Sequence, residues 1–272
     1  MCRLYGFRAT HPTAMECELL DAQNALIRQS VEDARALENP HGWGIGLVHA
    51  DGKVHCERQA EPASSSAAFR RSALAARGIT GMAHVRRATV GQPKLANTHP
   101  FCDGRSLLAH NGHVGAFEAV RPRMLAAMRQ QDRQAIRGDT DSEHLFHLLR
   151  ARQAAEPSKP LSAHLVSTAR DVARWVREAS PSEELALNLL WADGPSLAGS
   201  RHHRTLWYTV RSAPYVCPVC GHDHASPLAH ERYRCVVIAS EKITAETWTE
   251  VPEGSVFTLD DEIRIQLAPL GI

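Results

Sequence analysis

Met1-Cys2-Arg3-Leu4-Tyr5-Gly6 opens the chain and places a cysteine directly behind the initiator methionine. Aminopeptidases that trim the initiator accept only small second residues, so removal of Met1 leaves Cys2 with a free α-amine. Such an amine has a pKa of about 7.7 to 8.0, and its neutral fraction can take a proton from the thiol. The segment therefore predicts a nucleophile that carries its own base, and the inert alternative stays open until the downstream sequence is considered.

Length and charge limit the function classes. The chain has 272 residues, 43% hydrophobic and 22% charged, which suits one large or two small globular domains with a substantial core. Its net charge of +1 gives no global attraction for nucleic acid or an anionic membrane. No apolar run approaches the roughly 20 residues of a membrane span, and no signal peptide pattern is seen. Seven scattered cysteines argue against a secreted disulfide framework, so we expect a cytoplasmic protein.

The first third of the chain predicts a strand, a helix and a hairpin. The opening segment alternates as a strand does, and Thr13 is expected to cap a helix whose apolar residues run from Met15 to Ile27 at helical spacing. Two extended runs flank Asp51-Gly52, a dipeptide that suits a tight turn. Three glycines around Trp43 predict backbone held close to another part of the protein, or a glycine-rich strand in a crowded sheet.

Helices and then short strands are expected further along. Residues 64–77 predict a helix with Phe69 and Leu74 on one side, and two more helices are expected after Asp141 and over 161–179. The later runs read as strands at 185–191, 205–210, 233–239, 255–259 and 263–267. No linker or internal repeat divides the chain, which predicts a single domain over 1–272.

Three local patterns each allow two interpretations. Arg86 and Arg87 would point to opposite faces of a strand, and form either a solvated patch or a grip on a planar anion. Asn111-Gly112 is a preferred turn pair, or a pair of donors to one oxyanion. Asp141 precedes a helical pattern and is either its N-cap or the partner of a substrate ammonium group.

One cluster in the second half has the composition of a metal site. Its candidate ligands are Cys217, Cys220, His222 and His224, with His230 or Cys235 as a possible completion. A Cys-x-x-Cys followed by histidines resembles half of a zinc knuckle, but a second Cys-x-x-Cys is missing. Structural zinc, a redox pair and an unliganded surface loop all stay open.

Five short motifs gain meaning from their order. They are Met1-Cys2, His84-x-Arg86-x-Ala88-Thr89, Asn97-x-His99-Pro100-Phe101, His110-Asn111-Gly112 and Asp141-Ser142-Glu143. The series resembles the glutaminase domain of class II glutamine amidotransferases, which are N-terminal nucleophile hydrolases. Similarity is greatest to the stand-alone members, which include the ergothioneine-pathway amidohydrolase. The stretches that carry this second likeness are Gly42-Trp43-Gly44, 188–194 and Ala239-Ser240-Glu241.

The resemblance implies a catalytic set. Cys2 is expected to attack the γ-carboxamide of glutamine and to form a γ-glutamyl thioester that water later hydrolyses. The side chain of Asn111 and the N–H of Gly112 are expected to form the oxyanion hole. No metal or organic cofactor is required for this reaction.

The resemblance also implies how the substrate is held. Arg86 is expected to bind its α-carboxylate through paired hydrogen bonds and Asp141 its α-ammonium. Thr89 and His99 are expected to line the pocket. His84 and His110 lie within the motifs, and we assign them structural roles.

The implied fold is α+β, a four-layer αββα sandwich formed by one glutamine amidotransferase type 2 domain over 1–272. The Cys/His-containing segment around 212–232 reads as an insertion. Two departures concern the leaving-group side of the site: Arg87 stands where many members have Trp or a small residue, and His41 stands where subgroup members commonly have Asp.

The chain shows no synthetase, sugar-isomerase or phosphoribosyl domain that could receive ammonia. We therefore expect a separate ammonia-accepting synthase subunit, or plain hydrolysis of a specific γ-glutamyl conjugate. The alternative from another class is an inactive zinc-dependent binding module, for which the net charge disfavours a nucleic-acid target.

Overall fold

The opening strand lies in the middle of the first of two sheets. Its neighbours come from both ends of the chain: β1 (Arg3–Ala14), β2 (Trp43–Val48), β3 (Val54–Gln59), β4 (Arg77–Val85), β9 (Trp207–Ser212), β10 (Arg234–Ala239) and β11 (Thr249–Glu250). The computed structural model describes residues 2–213, 215–222, 224 and 233–272. Within these residues the strand order is β11-β9-β10-β1-β4-β2-β3, with antiparallel neighbours throughout.

The second sheet comes from the middle and the end of the chain. Its strands are β5 (Phe101–Cys102), β6 (Ser106–Val114), β7 (Leu185–Asp193), β8 (Ser196–Arg201), β12 (Ser255–Leu259) and β13 (Ile265–Pro269). Across the described residues they are ordered β13-β12-β8-β7-β6-β5 and are again antiparallel.

Helices cover the outer face of each sheet. They are α1 (Leu26–Val31), α2 (Ala67–Ala75), α3 (Phe117–Ala126), α4 (Gln130–Ala135), α5 (Asp141–Ala155) and α6 (Leu161–Ala179), with a π-helical turn over Cys17–Asp21 and a 3₁₀ turn over Leu95–Asn97. Among the described residues, no helix combines the length and the apolar character that a bilayer span requires.

Three hydrophobic clusters separate the layers. One joins the first sheet to α1, α2 and the π-helical turn, with Phe7 and Phe69 among its members. A second lies between the two sheets and includes Leu4 and Leu107. The third joins the second sheet to α3, α5 and α6. The predicted four-layer αββα sandwich is confirmed, because burial on both faces of both sheets demands this order of layers.

The hairpin prediction is correct, whereas the first helix prediction is wrong. Val48 pairs with Val54 across the Asp51-Gly52 turn. Thr13 lies inside β1, opposite Gly78, and does not cap a helix. Beyond β1 the predicted helix is interrupted, because Ala22 and Ala25 adopt extended backbone angles between the π-helical turn and α1.

The helix predicted over 64–77 is confirmed as α2, but its apolar face is corrected. Ser66 caps it by accepting a hydrogen bond from the N–H of Phe69, 3.0 Å away. Phe69 is fully buried, whereas Leu74 is 59% exposed. Five positions along a helix correspond to a rotation of about 140°, so the two side chains cannot share one face.

Candidate active site

The pairing of β1 with β4 places the opening cysteine beside the paired arginines. Leu4 lies opposite His84 and Arg3 opposite Val85, so Cys2 approaches the chain where β4 ends and Arg86 follows. The sulfur of Cys2 accepts a hydrogen bond from the N–H of Arg87 at 3.3 Å. It also lies 3.4 Å from the carbonyl oxygen of Arg87, to which the thiol can donate.

Strand alternation directs two predicted site residues, Cys2 and Asn111, toward the space between the sheets. Leu4 belongs to the cluster between the sheets, so Cys2, two residues earlier, faces the same way. The same alternation on β6 relates Ala109, another member of that cluster, to Asn111. His84 contacts the carbonyl oxygen of His110 at 3.3 Å, and this contact joins the two sheets next to Asn111.

The environment of Cys2 favours a neutral thiol in the resting protein. Burial raises the pKa of Cys2, and the hydrogen bond from Arg87 and the charges of Arg86 and Arg3 oppose that rise only in part. A thiol attacks carbonyl carbon as the thiolate. A base beside the sulfur is therefore required at neutral pH.

Arg86 is buried, 2% exposed, and shapes the loop that follows it. Its guanidinium donates hydrogen bonds to the carbonyl oxygens of Val90 at 2.8 Å and of Gly91 and Gln92 at 3.2 Å. Burial lowers the pKa of Arg86, while the nearby Cys2, Asp139 and Asp141 raise it. The guanidinium of Arg86 is thus close enough to interact electrostatically with the thiol of Cys2 and with the carboxylates of Asp139 and Asp141.

Arg87 and His41, the two departures from the family pattern, hold this segment in place. Arg87 is half-buried and donates to the carbonyl oxygen of Glu38 at 3.2 Å. His41 accepts a hydrogen bond from the N–H of Ala88 at 2.9 Å, and its own N–H donates to the carbonyl oxygen of Arg86 at 2.9 Å. The His41 ring therefore holds the backbone at Ala88, the His41 backbone holds that of Arg86, and the Arg87 side chain ties this segment to Glu38.

Asn111 and Gly112 lie within β6, so the turn interpretation is wrong. Asn111 is paired with Asn188, and Gly112 with Leu187. A Cβ atom at Gly112 would overlap the carbonyl oxygen of Ala186, which explains why glycine is required there. Asn111 is buried, and it contributes to the lining of a cavity of about 460 Å³ next to the segment that follows β10. Cys2, Arg86 and Asp141 are not among the residues that line this cavity.

Asp141 begins α5, but it is not the N-cap. The cap is Thr140, whose hydroxyl accepts a hydrogen bond from the N–H of Glu143 at 3.2 Å. Asp141 instead accepts hydrogen bonds from the N–H groups of Val114 and Ser142, both at 2.8 Å. The buried carboxylate is thereby fixed at the junction of β6 and α5.

His99 and Thr89, the two residues predicted to line the pocket, differ in burial. His99 is buried, with its ring centre 4.2 Å from that of His84 and 4.7 Å from that of Phe101. Neither ring nitrogen of His99 has a hydrogen-bond partner among the residues that the structure describes. Thr89 is exposed in the bend after Arg86. Its role and that of His99 in the pocket stay predictions.

His110 joins the second sheet to its helices. Its Nδ1 lies 2.9 Å from the hydroxyl of Ser142, and its Nε2 lies 2.9 Å from the carbonyl oxygen of Ala186. Burial lowers the pKa of His110, which favours the neutral ring between these partners. The contacts support the structural role that we assigned to it.

Sequence reasoning missed an ion-pair network behind the nucleophile. Arg3 pairs with Glu241 and, at 2.9 Å, with Asp33, and it also donates to the carbonyl oxygen of Cys2 at 2.9 Å. The hydroxyl of Ser240 accepts a hydrogen bond from the N–H of Leu4 at 3.1 Å. The only sequence signal was the likeness of Ala239-Ser240-Glu241 to the subgroup, which carries no role by itself.

The predicted metal ligands are brought together with one exchange. Cys217, Cys220 and His224 form a cluster with Cys17 that can hold a metal ion. His222 is exposed and is not part of it, because its ring turns back to the carbonyl oxygen of Cys220 at 2.6 Å.

Of the two residues suggested as a completion of the metal site, Cys235 is not part of this cluster. Cys235 packs in the core of the first sheet, and His230 lies outside the described residues.

Comparison with known proteins identifies sequence relatives of the whole chain. The family model described as "Glutamine amidotransferases class-II" matches residues 1–267. The "Probable glutamine amidotransferase DUG3" of Saccharomyces cerevisiae is 24% identical over 99% of this chain and 84% of its own length. The "Gamma-glutamyl-hercynylcysteine sulfoxide hydrolase" of Mycobacterium tuberculosis is 39% identical over 42% of this chain and 50% of its own length.

Solved structures share the fold. A glutamine aminotransferase class-II domain protein from Silicibacter pomeroyi superposes with a TM-score of 0.64 at 22% identity, over 98% of each chain. The glutamine phosphoribosylpyrophosphate amidotransferase of Bacillus subtilis superposes with a TM-score of 0.56 at 16% identity, over 99% of this chain and 49% of that one.

Proposed function

Because the chain belongs to the class-II glutamine amidotransferases, a family of enzymes, we propose that it hydrolyses the γ-carboxamide of glutamine or of another γ-glutamyl amide. The observation that carries the proposal is that Cys2 lies beside Arg86 and Arg87 where β4 ends, while strand alternation on β6 directs Asn111 toward the same space between the sheets. A nucleophile, a cation for a carboxylate and an amide donor are the groups that this reaction needs at one place.

The reaction begins after Met1 is removed. The neutral α-amine of Cys2 takes the thiol proton, and the thiolate attacks the amide carbon. The side chain of Asn111 and the N–H of Gly112 stabilise the tetrahedral oxyanion. The amine then returns the proton to the leaving nitrogen, ammonia departs from glutamine, and a γ-glutamyl thioester remains. Water hydrolyses the thioester, which yields glutamate and restores the thiol.

The glutamyl head is held at its two charged groups. Arg86 pairs with the α-carboxylate, and Asp141, fixed by two backbone N–H groups, receives the α-ammonium. Thr89 and His99 complete the pocket in this proposal. The mutual electrostatic influence of Arg86 and Asp141 supports a ligand that carries both charges close together.

The leaving-group side has room for more than ammonia. The cavity beside Asn111 is also lined by Arg35, Arg204, Lys242 and Trp207, and the ammonium of Lys242 lies 4.3 Å from the centre of the Trp207 ring. Cationic and aromatic groups favour a leaving group that bears a carboxylate or a flat ring. This lining supports the second candidate, hydrolysis of a specific γ-glutamyl conjugate.

Substrate comparison tests both candidates. Protein whose mass shows Cys2 as the first residue is assayed with glutamine, γ-glutamyl dipeptides and γ-glutamylcysteine conjugates. Turnover of at least one is expected, and no turnover of any of them would contradict the enzyme assignment.

Lys242→Met should lower the preference for dipeptides over glutamine if the cavity binds the leaving group. An unchanged preference would favour glutamine as the substrate, with ammonia passed to a separate synthase subunit.

The proposal also includes a single domain over 1–272 and a cytoplasmic location. Both sheets combine strands from distant parts of the chain, which supports one folding unit. All seven cysteines are free thiols, which suits a reducing compartment.

A metal ion in the Cys/His cluster would be structural, because the cluster does not include Cys2.

A further inference from the structure

Four metal-ligating side chains meet at the end of β1 that lies away from Cys2. They come from three segments: Cys17 follows β1 and begins the π-helical turn, Cys217 and Cys220 flank a tight turn after β9, and His224 follows that turn. One ligand atom from each residue lies within 4.8 Å of every other. We propose that Cys17, Cys217, Cys220 and His224 form a structural zinc site, independent of the proposed hydrolysis.

The backbone of the turn is arranged around the sulfurs. The N–H of Gly221 donates to the carbonyl oxygen of Cys217 at 2.9 Å, and Gly221 has a φ of 72°, which favours glycine. The N–H of Val219 points at the sulfur of Cys217 from 3.4 Å. Such a donor stabilises a thiolate, which is the form that binds metal.

A buried acid, Glu18, lies behind the ring of His224. Its Nε2 lies 3.3 Å from the sulfur of Cys220, and its Nδ1 lies 4.0 Å from a carboxylate oxygen of Glu18. That oxygen and Nδ1 have no hydrogen-bond partner among the described residues. A carboxylate that accepts the second ring N–H of a metal-bound histidine fixes the ring tautomer, and Glu18 stands on the Nδ1 side of His224, which leaves Nε2 toward the sulfurs. Glu18 is itself fully buried and held by Arg211 at 2.5 Å.

The loop is already attached to β1 through the backbone. The N–H of Ala14 donates to the carbonyl oxygen of His224 at 3.3 Å. Cys17, three residues further along, is therefore on the same side as the loop. Cys17, Cys217 and His224 are buried, whereas Cys220 is exposed.

The ligand set selects the metal. Three sulfurs and one imidazole nitrogen are typical of tetrahedral structural zinc, whereas magnesium and calcium prefer oxygen ligands. Four protein ligands leave no open position for a substrate, so the ion would be structural. A disulfide between Cys217 and Cys220 would explain neither the buried Cys17 nor the placement of His224 between the sulfurs and Glu18.

Metal analysis of the full chain tests the site. Protein purified under reducing conditions is expected to contain one zinc ion per chain, and chelation should lower the melting temperature. The metal-free protein should bind cobalt(II) with the intense visible bands of a tetrahedral, thiolate-bound ion. A protein that binds neither zinc nor cobalt at equimolar concentration, or that binds cobalt with an octahedral spectrum, would overturn the proposal.

Variants identify the ligands. Cys17→Ser, Cys217→Ser and His224→Asn should each abolish stoichiometric zinc binding, whereas His222→Asn, a change in the same loop outside the cluster, should retain it. Full zinc content in Cys17→Ser, or its loss in His222→Asn, contradicts this ligand set.

Thiol alkylation of the wild-type protein tests the site without relying on variants that could fail to fold. The exposed thiol of Cys220 should resist alkylation when zinc is bound and react once a chelator is added, with reductant present throughout. Cys102, outside the cluster, should react equally in both states. Equal reactivity of Cys220 with and without chelator rejects the zinc site.

Discussion

Cys2 and Cys17 lie at the two ends of β1, and their surroundings differ. The sulfur of Cys2 is close to no second thiol: it contacts the N–H of Arg87, with Arg86 nearby, in the space between the sheets. The sulfur of Cys17 meets two other thiols and an imidazole. A lone thiol near cations can become a free nucleophile, whereas clustered thiols can be consumed as metal ligands. Our proposals therefore assign the same residue type to reaction at one end of β1 and to stability at the other.

The largest expected effect separates the two ends directly. Cys2→Ala should reduce hydrolysis by a factor on the order of 10⁴ or more, because the covalent step has no other nucleophile. Cys17→Ala should leave kcat/KM close to that of the wild type while it lowers the melting temperature. The assay compares both variants at a temperature where both are folded. A comparable loss of activity in the two variants would contradict the division of labour between the ends of β1.

The second effect concerns the oxyanion. Asn111→Ala should lower kcat by about 100-fold, because one donor to the developing charge is lost while the glutamyl head is still bound. KM should change little. Asn111→Asp is the matched variant, since it keeps the side-chain shape but places an acceptor against the oxyanion, and it should be at least as slow. Steady-state kinetics that show a change in KM alone would assign Asn111 to binding instead.

The third effect concerns the substrate carboxylate. Arg86→Lys should lower kcat/KM by about 10-fold or more, because charge-assisted hydrogen bonds to a carboxylate contribute about 1.5 to 3 kcal/mol and lysine lacks the fork. Substrate analogues without the α-carboxylate provide the control. The wild type should turn them over poorly, and the lysine variant should discriminate less between them and glutamine. Undiminished discrimination would show that Arg86 only holds the loop at 90–92.

The strand positions of the proposed catalytic residues were accessible to sequence reasoning, whereas their catalytic roles stay predictions. Cys2, Arg86 and Asn111 each lie in or beside a strand, and alternation is the property that sequence patterns record best. Even so, local rules gave two wrong answers. Asn111-Gly112 has turn composition but pairs within β6, and Thr140 rather than Asp141 caps α5.

The sequence predicted the metal end only in part, because its ligands are distant along the chain. Cys17 joins Cys217 since β10 pairs antiparallel with β1, which brings the connection between β9 and β10 to the end of β1. Nothing local signals that pairing. The helices α3 and α4 were missed as well, because Pro122 lies inside α3 and Ala135 is the single apolar residue of α4.

The last expected effect is on the free energy of unfolding. It arises from the buried neutral histidines near Cys2, which have no counterpart in our argument for the Cys17 end. Burial lowers the pKa of His84 to about 3, although the hydrogen bond to the His110 carbonyl opposes it, and burial also lowers the pKa of His99 and of His110. Arg86 adds to the lowering for His84 and His99. Since these rings have a pKa near 6.5 when unfolded, the unfolded chain binds more protons below that pH.

The free energy of unfolding should therefore fall as the pH drops below about 6.5, and at pH 5 His84 alone should account for about 2 kcal/mol. His99→Phe removes one titrating ring but keeps an aromatic contact with His84 and Phe101, so its acid loss should be smaller. Denaturant unfolding between about pH 7 and pH 5 measures both proteins, and any contribution from zinc loss is common to them and cancels. Equal acid losses would mean that His99 is not held neutral in the folded protein.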